Sequence, residues 1–283
     1  MVIKSYFVLA TLACLGSRLQ AQSQANSIPS KKTVDSILSE EHLASLSGDP
    51  TTLFSSGFDV RARTIQRLFR DCTLFYEQQF PADKFAVHLY LLNKDDWQRL
   101  PLGFPYGMPF YHPDYDILVI GAEKDALAKL TGLKDIKPSP DSVLTNFDYQ
   151  PVHELGHYFF FTLNGLVKEK WFNEFLATYF LICYIKDRNL APDLQKALQA
   201  DYPVAHRSLD DFQKIYLGVG PQNYHWYQSK FAELGFRLYP QFKTSLIKEV
   251  LDNYSPTGKQ LNGVALLTAI APDVATEWLQ QMH

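Results

Sequence analysis

The chain reads as an α+β protein, with a small mixed β-sheet packed on helices followed by a mainly helical C-terminal part. Apolar residues recur at helical spacing from Val60 to Tyr76, and two short apolar runs, Phe85 to Leu92 and Asp116 to Ile120, have strand character. From Asp148 onward the patterning is helical almost to the end. With 283 residues, 46% of them hydrophobic, the chain can bury one large core or two smaller ones. Twenty phenylalanines, sixteen tyrosines and four tryptophans place it among folded proteins, and a formal charge of −3 gives no electrostatic case for nucleic acid as a partner.

Taken in order, residues 1–23 have the composition of a signal peptide. Lys4 provides the positive start, Tyr6 to Gly16 an apolar run, and Leu19-Gln20-Ala21 or Ala21-Gln22-Ser23 a small-residue cleavage site. The run falls short of the roughly 18 residues that a membrane span needs, so the reading is export without a membrane span. Cys14 opens a second route, lipid attachment after cleavage before it. Residues 24–56, rich in Ser, Gln and Lys, read as a weakly ordered lead-in with one short helix near Val34 to Ser47.

A single domain is expected over 57–283, with a helix-sheet part to about 147 and a helical part from 148. Val60, Ile65, Leu68, Phe69, Cys72, Phe75 and Tyr76 predict a long helix from Asp59 to Pro81 that covers a sheet face. A strand through Phe85–Leu92, a short helix over Asp95–Leu100 and a strand region from Gly107 to Gly121 follow. His88 reads as a strand residue, and His112, before Pro113-Asp114, as part of a turn. Cys72 and Cys183 both lie in helical apolar segments, which leaves two buried thiols or one disulfide open. After Ile185 helices continue, with breaks at Pro192, Pro203, Gly218-Val219-Gly220-Pro221, Pro240 and Pro256.

The chemistry concentrates in Asp148-Tyr149-Gln150-Pro151-Val152-His153-Glu154-Leu155-Gly156-His157. Four helical residues at about 100° each leave the two imidazoles about 40° apart on one face, where both can bind one Zn²⁺. Glu154, about 100° round from His153, is poorly placed as a third ligand but well placed to take a proton from a metal-held water. Asp148 is a candidate cap, Pro151 suits the first turn and Asn164-Gly165 the stop. Seventeen residues after His157, Glu174 is the only carboxylate in the apolar run Trp171 to Ile185. A carboxylate buried there needs a cation or a metal. With helices ending near Leu163 and restarting near Lys170, an antiparallel pair would bring His153, His157 and Glu174 to one metal, with water in the fourth position.

His-Glu-Leu-Gly-His followed by Trp-Phe-Asn-Glu-Phe-Leu-Ala-Thr-Tyr resembles the gluzincin metallopeptidases, the group of thermolysin and the large zinc aminopeptidases, whose second helix commonly reads Trp-Leu-Asn-Glu-Gly-Phe-Ala. The similarity covers roughly residues 148–185. It implies a zincin-like fold, one Zn²⁺ on His153, His157 and Glu174, Glu154 as general base, and a peptide or protein substrate. It also implies an oxyanion-binding tyrosine at the start of a later helix, for which Tyr227 is the first candidate, Tyr224 the second and His225 the third. Asn173 and Thr178 flank the third ligand, and thermolysin has Asp where this chain has Thr178. Phe160 and Leu163 stand where a metzincin requires Gly and His. Gly107-Met108-Pro109-Phe110 is a candidate edge for substrate backbone and lacks the glutamate with which the aminopeptidases bind a free amine. Two other readings stand beside the peptidase: a non-catalytic exported binding protein on the same scaffold, and a helical core with an accidental motif.

Overall fold

The computed structural model describes residues 43–80, 87–100, 106–107, 109–113, 115–123, 146–164, 167–190, 203–253 and 262–282. The expected signal peptide, Cys14, Met108 and the breaks at Pro192 and Pro256 lie outside the described residues. The chain is α+β, and it divides into two compact units, one ending at Tyr158 and the other beginning at Phe159.

The first unit holds a five-stranded mixed sheet: β1 (Ala44–Leu46), β2 (Thr52–Phe54), β3 (His88–Leu92), β4 (Phe110–His112) and β5 (Ile117–Gly121), in the order β1-β2-β3-β5-β4. β2, β3 and β5 run parallel, with Leu53 opposite Tyr90 and Tyr90 opposite Val119, while β1 and β4 close the two edges antiparallel. All five residues of β5 are buried, as a strand covered on both faces requires. β1 and β2 correct the expectation of a weakly ordered lead-in, and β1 replaces the C-terminal end of the helix expected near Val34 to Ser47. Three-residue strands carry too little period to be seen in sequence, and these two form because the edge of β3 pairs with Thr52 to Phe54.

α1 (Asp59–Gln79) buries Ile65, Leu68, Phe69, Cys72, Phe75 and Tyr76 as its spacing predicts and packs on β2. Val60 departs from that stripe: it is 77% exposed, in the first turn before the packed face begins. α2 (Lys94–Arg99) is capped by Asn93, whose side chain accepts the Asp96 N–H at 2.8 Å. Its Trp97 fills a cluster with Leu92, Leu100, Phe110, Tyr115, Ile117 and Val119. His112 ends β4 instead of lying in the turn, and its carbonyl accepts the Asp116 N–H at 2.9 Å to close the turn into β5.

α3 (Asn146–Asn164) carries the paired histidines and passes from one unit into the next. The second unit continues with α4 (Lys170–Asp187), α5 (Leu209–Ile215), a 3₁₀ turn (Tyr216–Val219), α6 (Pro221–Phe242), α7 (Ser245–Asn253), α8 (Gly263–Ile270) and α9 (Pro272–Leu279). α4 is the axis of this unit: from Trp171 to Ile185 every residue except Asn173 is buried, and α6 packs along it. Gly263 opens α8 against α4, where a Cβ would come within 2.6 Å of the Phe172 ring, so only glycine fits. The Gly263 N–H donates to Glu169 at 2.7 Å, tying α8 to the start of α4. Cys72 and Cys183 are both buried and both reduced. No helix among the described residues is long and apolar enough to cross a membrane.

Candidate metal centre

α3 begins at Asn146, two residues before the expected cap, so Pro151 lies inside the helix and not in its first turn. A proline there offers no N–H to the carbonyl four residues back, yet the helix continues through it to Asn164. One turn apart on this helix, His153 and His157 place their ring centroids 4.8 Å apart, and ligand atoms of His153, Glu154 and His157 all lie within 4.8 Å of one another. Donors on one tetrahedral zinc sit about 3.4 Å apart for bonds near 2.1 Å. Two imidazoles and a carboxylate so gathered could hold a metal ion.

Glu154 is held from the sheet. The backbone N–H of Tyr111, on the edge strand β4, donates to Glu154 Oε2 at 3.2 Å. The Tyr111 ring meets Tyr158 edge-on at 5.3 Å, one helical turn beyond Glu154. The carboxylate therefore stands on the flank of α3 that faces β4. The edge strand next to the motif is Phe110–His112, which begins three residues after the start of the expected Gly107-Met108-Pro109-Phe110.

In the second unit, Glu174 is the one buried carboxylate among the described residues, 3% exposed. Tyr216 donates its hydroxyl to Oε1 at 2.5 Å, and Gln228 donates its amide to Oε2 at 2.8 Å. The Gln228 amide also reaches the Tyr224 hydroxyl at 3.0 Å, and Thr178 donates to the Gln228 carbonyl oxygen at 3.2 Å. Thr178 thus supports Glu174 through Gln228. The Asn173 backbone N–H continues α4 to the Glu169 carbonyl, and its side chain is half-buried.

The three oxyanion candidates differ in their surroundings. Tyr227 is fully buried and donates its one proton to the Ser208 carbonyl at 2.8 Å; burial, with Asp211 next, raises its phenol pKa. Tyr224, one turn upstream, lies beside Glu174, and burial followed by that carboxylate holds its phenol well above the ordinary range. His225 is buried, which pushes its imidazole down to about 4 and keeps it neutral at pH 7.

Tyr216 and Gln228 escaped the sequence reading. Gln228 had a usable signal, lying four residues after Tyr224 on the same helical face. Tyr216 had none beyond the glycines that follow it. It ends α5 at φ 52°, ψ −120°, a conformation that costs a bulky residue about 1–3 kcal/mol. Against this geometry the comparisons with known proteins are silent: no family model, curated protein or solved structure matches the chain.

Proposed function

We propose that the protein is an exported zinc-dependent peptidase of gluzincin type, with His153, His157 and Glu174 as metal ligands and Glu154 as general base. The observation that carries this reading is the gathering of His153, Glu154 and His157 donor atoms within 4.8 Å on one helix. When bound, zinc polarises the substrate carbonyl and makes its water a stronger nucleophile at neutral pH. Glu154 takes the proton of the attacking water and returns it to the leaving amine, and the Tyr111 amide aims its carboxylate. A tyrosine from the start of α6 donates to the carbonyl oxygen as negative charge develops there. Tyr227 is the first candidate, whose proton must first leave Ser208, Tyr224 is the second, and His225 is a third candidate for the same role.

The test is metal analysis of the purified protein with a Glu154→Gln control against a broad peptide library. One zinc per chain, cleavage by the wild type and loss of cleavage with zinc retained in Glu154→Gln support the enzyme. Zinc without cleavage in either protein replaces the peptidase with a metal-holding binding protein, and no zinc in the wild type makes the motif accidental.

A further inference from the structure

We propose that the exposed face of α1 docks the protein on a membrane surface rich in anionic phospholipid, through Arg63, Arg67 and Arg70 flanked by Val60 and Leu74. At 100° per residue these five positions fall within about 80° of arc, and the row from Val60 to Leu74 is about 21 Å long. It lies on the side of the helix away from the packed stripe: the three arginines are exposed, Val60 is 77% exposed and Leu74 43%. Among the described residues only Ile215 joins Val60 and Leu74 as an exposed large hydrophobic side chain, so two of the three bracket this row of arginines.

The row works against the helix that carries it. Arg63 and Arg67 stand four residues apart and Arg67 and Arg70 three, spacings at which like charges repel. Among the described residues none of the three forms an ion pair, and the hydrogen bond from Arg67 Nε, at 3.3 Å, goes to the Arg63 carbonyl. Asp59 and Asp71, the acids flanking the row, pair with none of them, and Asp71 is half-buried. An anion from outside the chain relieves this repulsion.

The residue type and its arrangement narrow the partner. Four of the chain's nine arginines fall between positions 61 and 70, where none of its 18 lysines (27 − 9) stands. A guanidinium presents a planar fork that meets a phosphate or carboxylate with two hydrogen bonds, and an ammonium does not. An exposed helical ridge encloses no small anion. A second copy brought to this face about a two-fold axis would set arginines against arginines. Protein–protein interfaces place apolar anchors at the centre and charges at the rim, whereas here the arginines hold the centre and the aliphatic side chains the two ends. A lipid surface accepts that order, since its phosphates move to each guanidinium and its headgroup region takes isolated aliphatic side chains.

The experiment uses the full chain in co-sedimentation with vesicles of phosphatidylcholine alone or of equimolar phosphatidylcholine and phosphatidylglycerol. The wild type is expected to bind the anionic vesicles and not the neutral ones, and to be released as salt rises from about 0.01 M to 1 M. Changing Arg63, Arg67 and Arg70 together to Gln should weaken binding about 10²-fold, at roughly fivefold for each basic residue lost near the surface. Arg67→Glu gives Arg63 an opposite charge one turn away, so it should fold as well as the wild type and weaken binding by about tenfold or more. It covers the case in which the triple variant does not fold. A control with Lys94→Gln, Lys168→Gln and Lys248→Gln removes the same charge from exposed positions elsewhere and should bind as the wild type. No binding to anionic vesicles, equal binding to neutral ones, wild-type binding in Arg67→Glu, or an equal loss in the lysine control overturns the proposal. Tighter binding of polyglutamate than of anionic vesicles also overturns it and assigns the row to an acidic protein segment.

Discussion

The two units hold their acidic residues in opposite ways. In the sheet-containing unit, Glu154 is half-buried on the flank of a helix and takes a backbone amide from an edge strand. In the helical unit, Glu174 is enclosed in an aromatic core, with the Tyr216 and Tyr224 phenols and the Gln228 carboxamide among its partners from other elements. A carboxylate that must exchange protons benefits from access and a single orienting bond. One that must keep its charge and hold still benefits from enclosure and a fixed donor for each oxygen. The difference suits the proposed roles of base and ligand, and substitutions can separate them.

The largest effect is expected at the ligands. His157→Ala and Glu174→Ala should each reduce zinc occupancy to near zero after dialysis, measured by elemental analysis. Full occupancy in Glu174→Ala would take that residue out of the metal's ligand set and end the gluzincin assignment. The core of the helical unit gives the next effect. Phe175→Ala, at a fully buried ring tilted against Tyr179, should cost about 3–5 kcal/mol in denaturant unfolding. Val60→Ala in the other unit should stay within about 0.5 kcal/mol, because that side chain is exposed.

His225 predicts a pH dependence confined to the helical unit. Burial depresses its folded-state pKa to about 4, below an unfolded value of about 6.5. Its contribution is therefore complete above pH 6.5 and is lost as pH falls from there toward 4, by up to about 3 kcal/mol. His225→Gln should flatten that part of the stability profile, and an unchanged acid limb would show that other groups set it. Smaller again, Glu154→Gln should reduce peptide hydrolysis by at least ~10² fold, about 2.7 kcal/mol of barrier, with zinc retained. A cap gives a modest effect: Asn262→Ala removes the acceptor for the Ala265 N–H at 2.8 Å and should cost about 1 kcal/mol, read as a lower unfolding temperature.

Local rules determined much of this protein from its sequence. The stripe from Ile65 to Tyr76 set α1, the apolar run of Trp171–Ile185 set a helix buried nearly all round, and Asn164-Gly165 and Lys170 marked the ends of two helices within a residue or two. The four-residue spacing of His153 and His157 put both rings on one helical face, with their centroids 4.8 Å apart. Tertiary structure decided what depends on partners distant in sequence. β1 and β2 are too short to carry a period and exist through pairing with β3 and with each other. The Glu154 contact spans 43 residues, and those of Tyr216 and Gln228 with Glu174 span 42 and 54. No local pattern encodes such pairs, since the hydrogen bonds are satisfied only when packing delivers donor and acceptor to the same place.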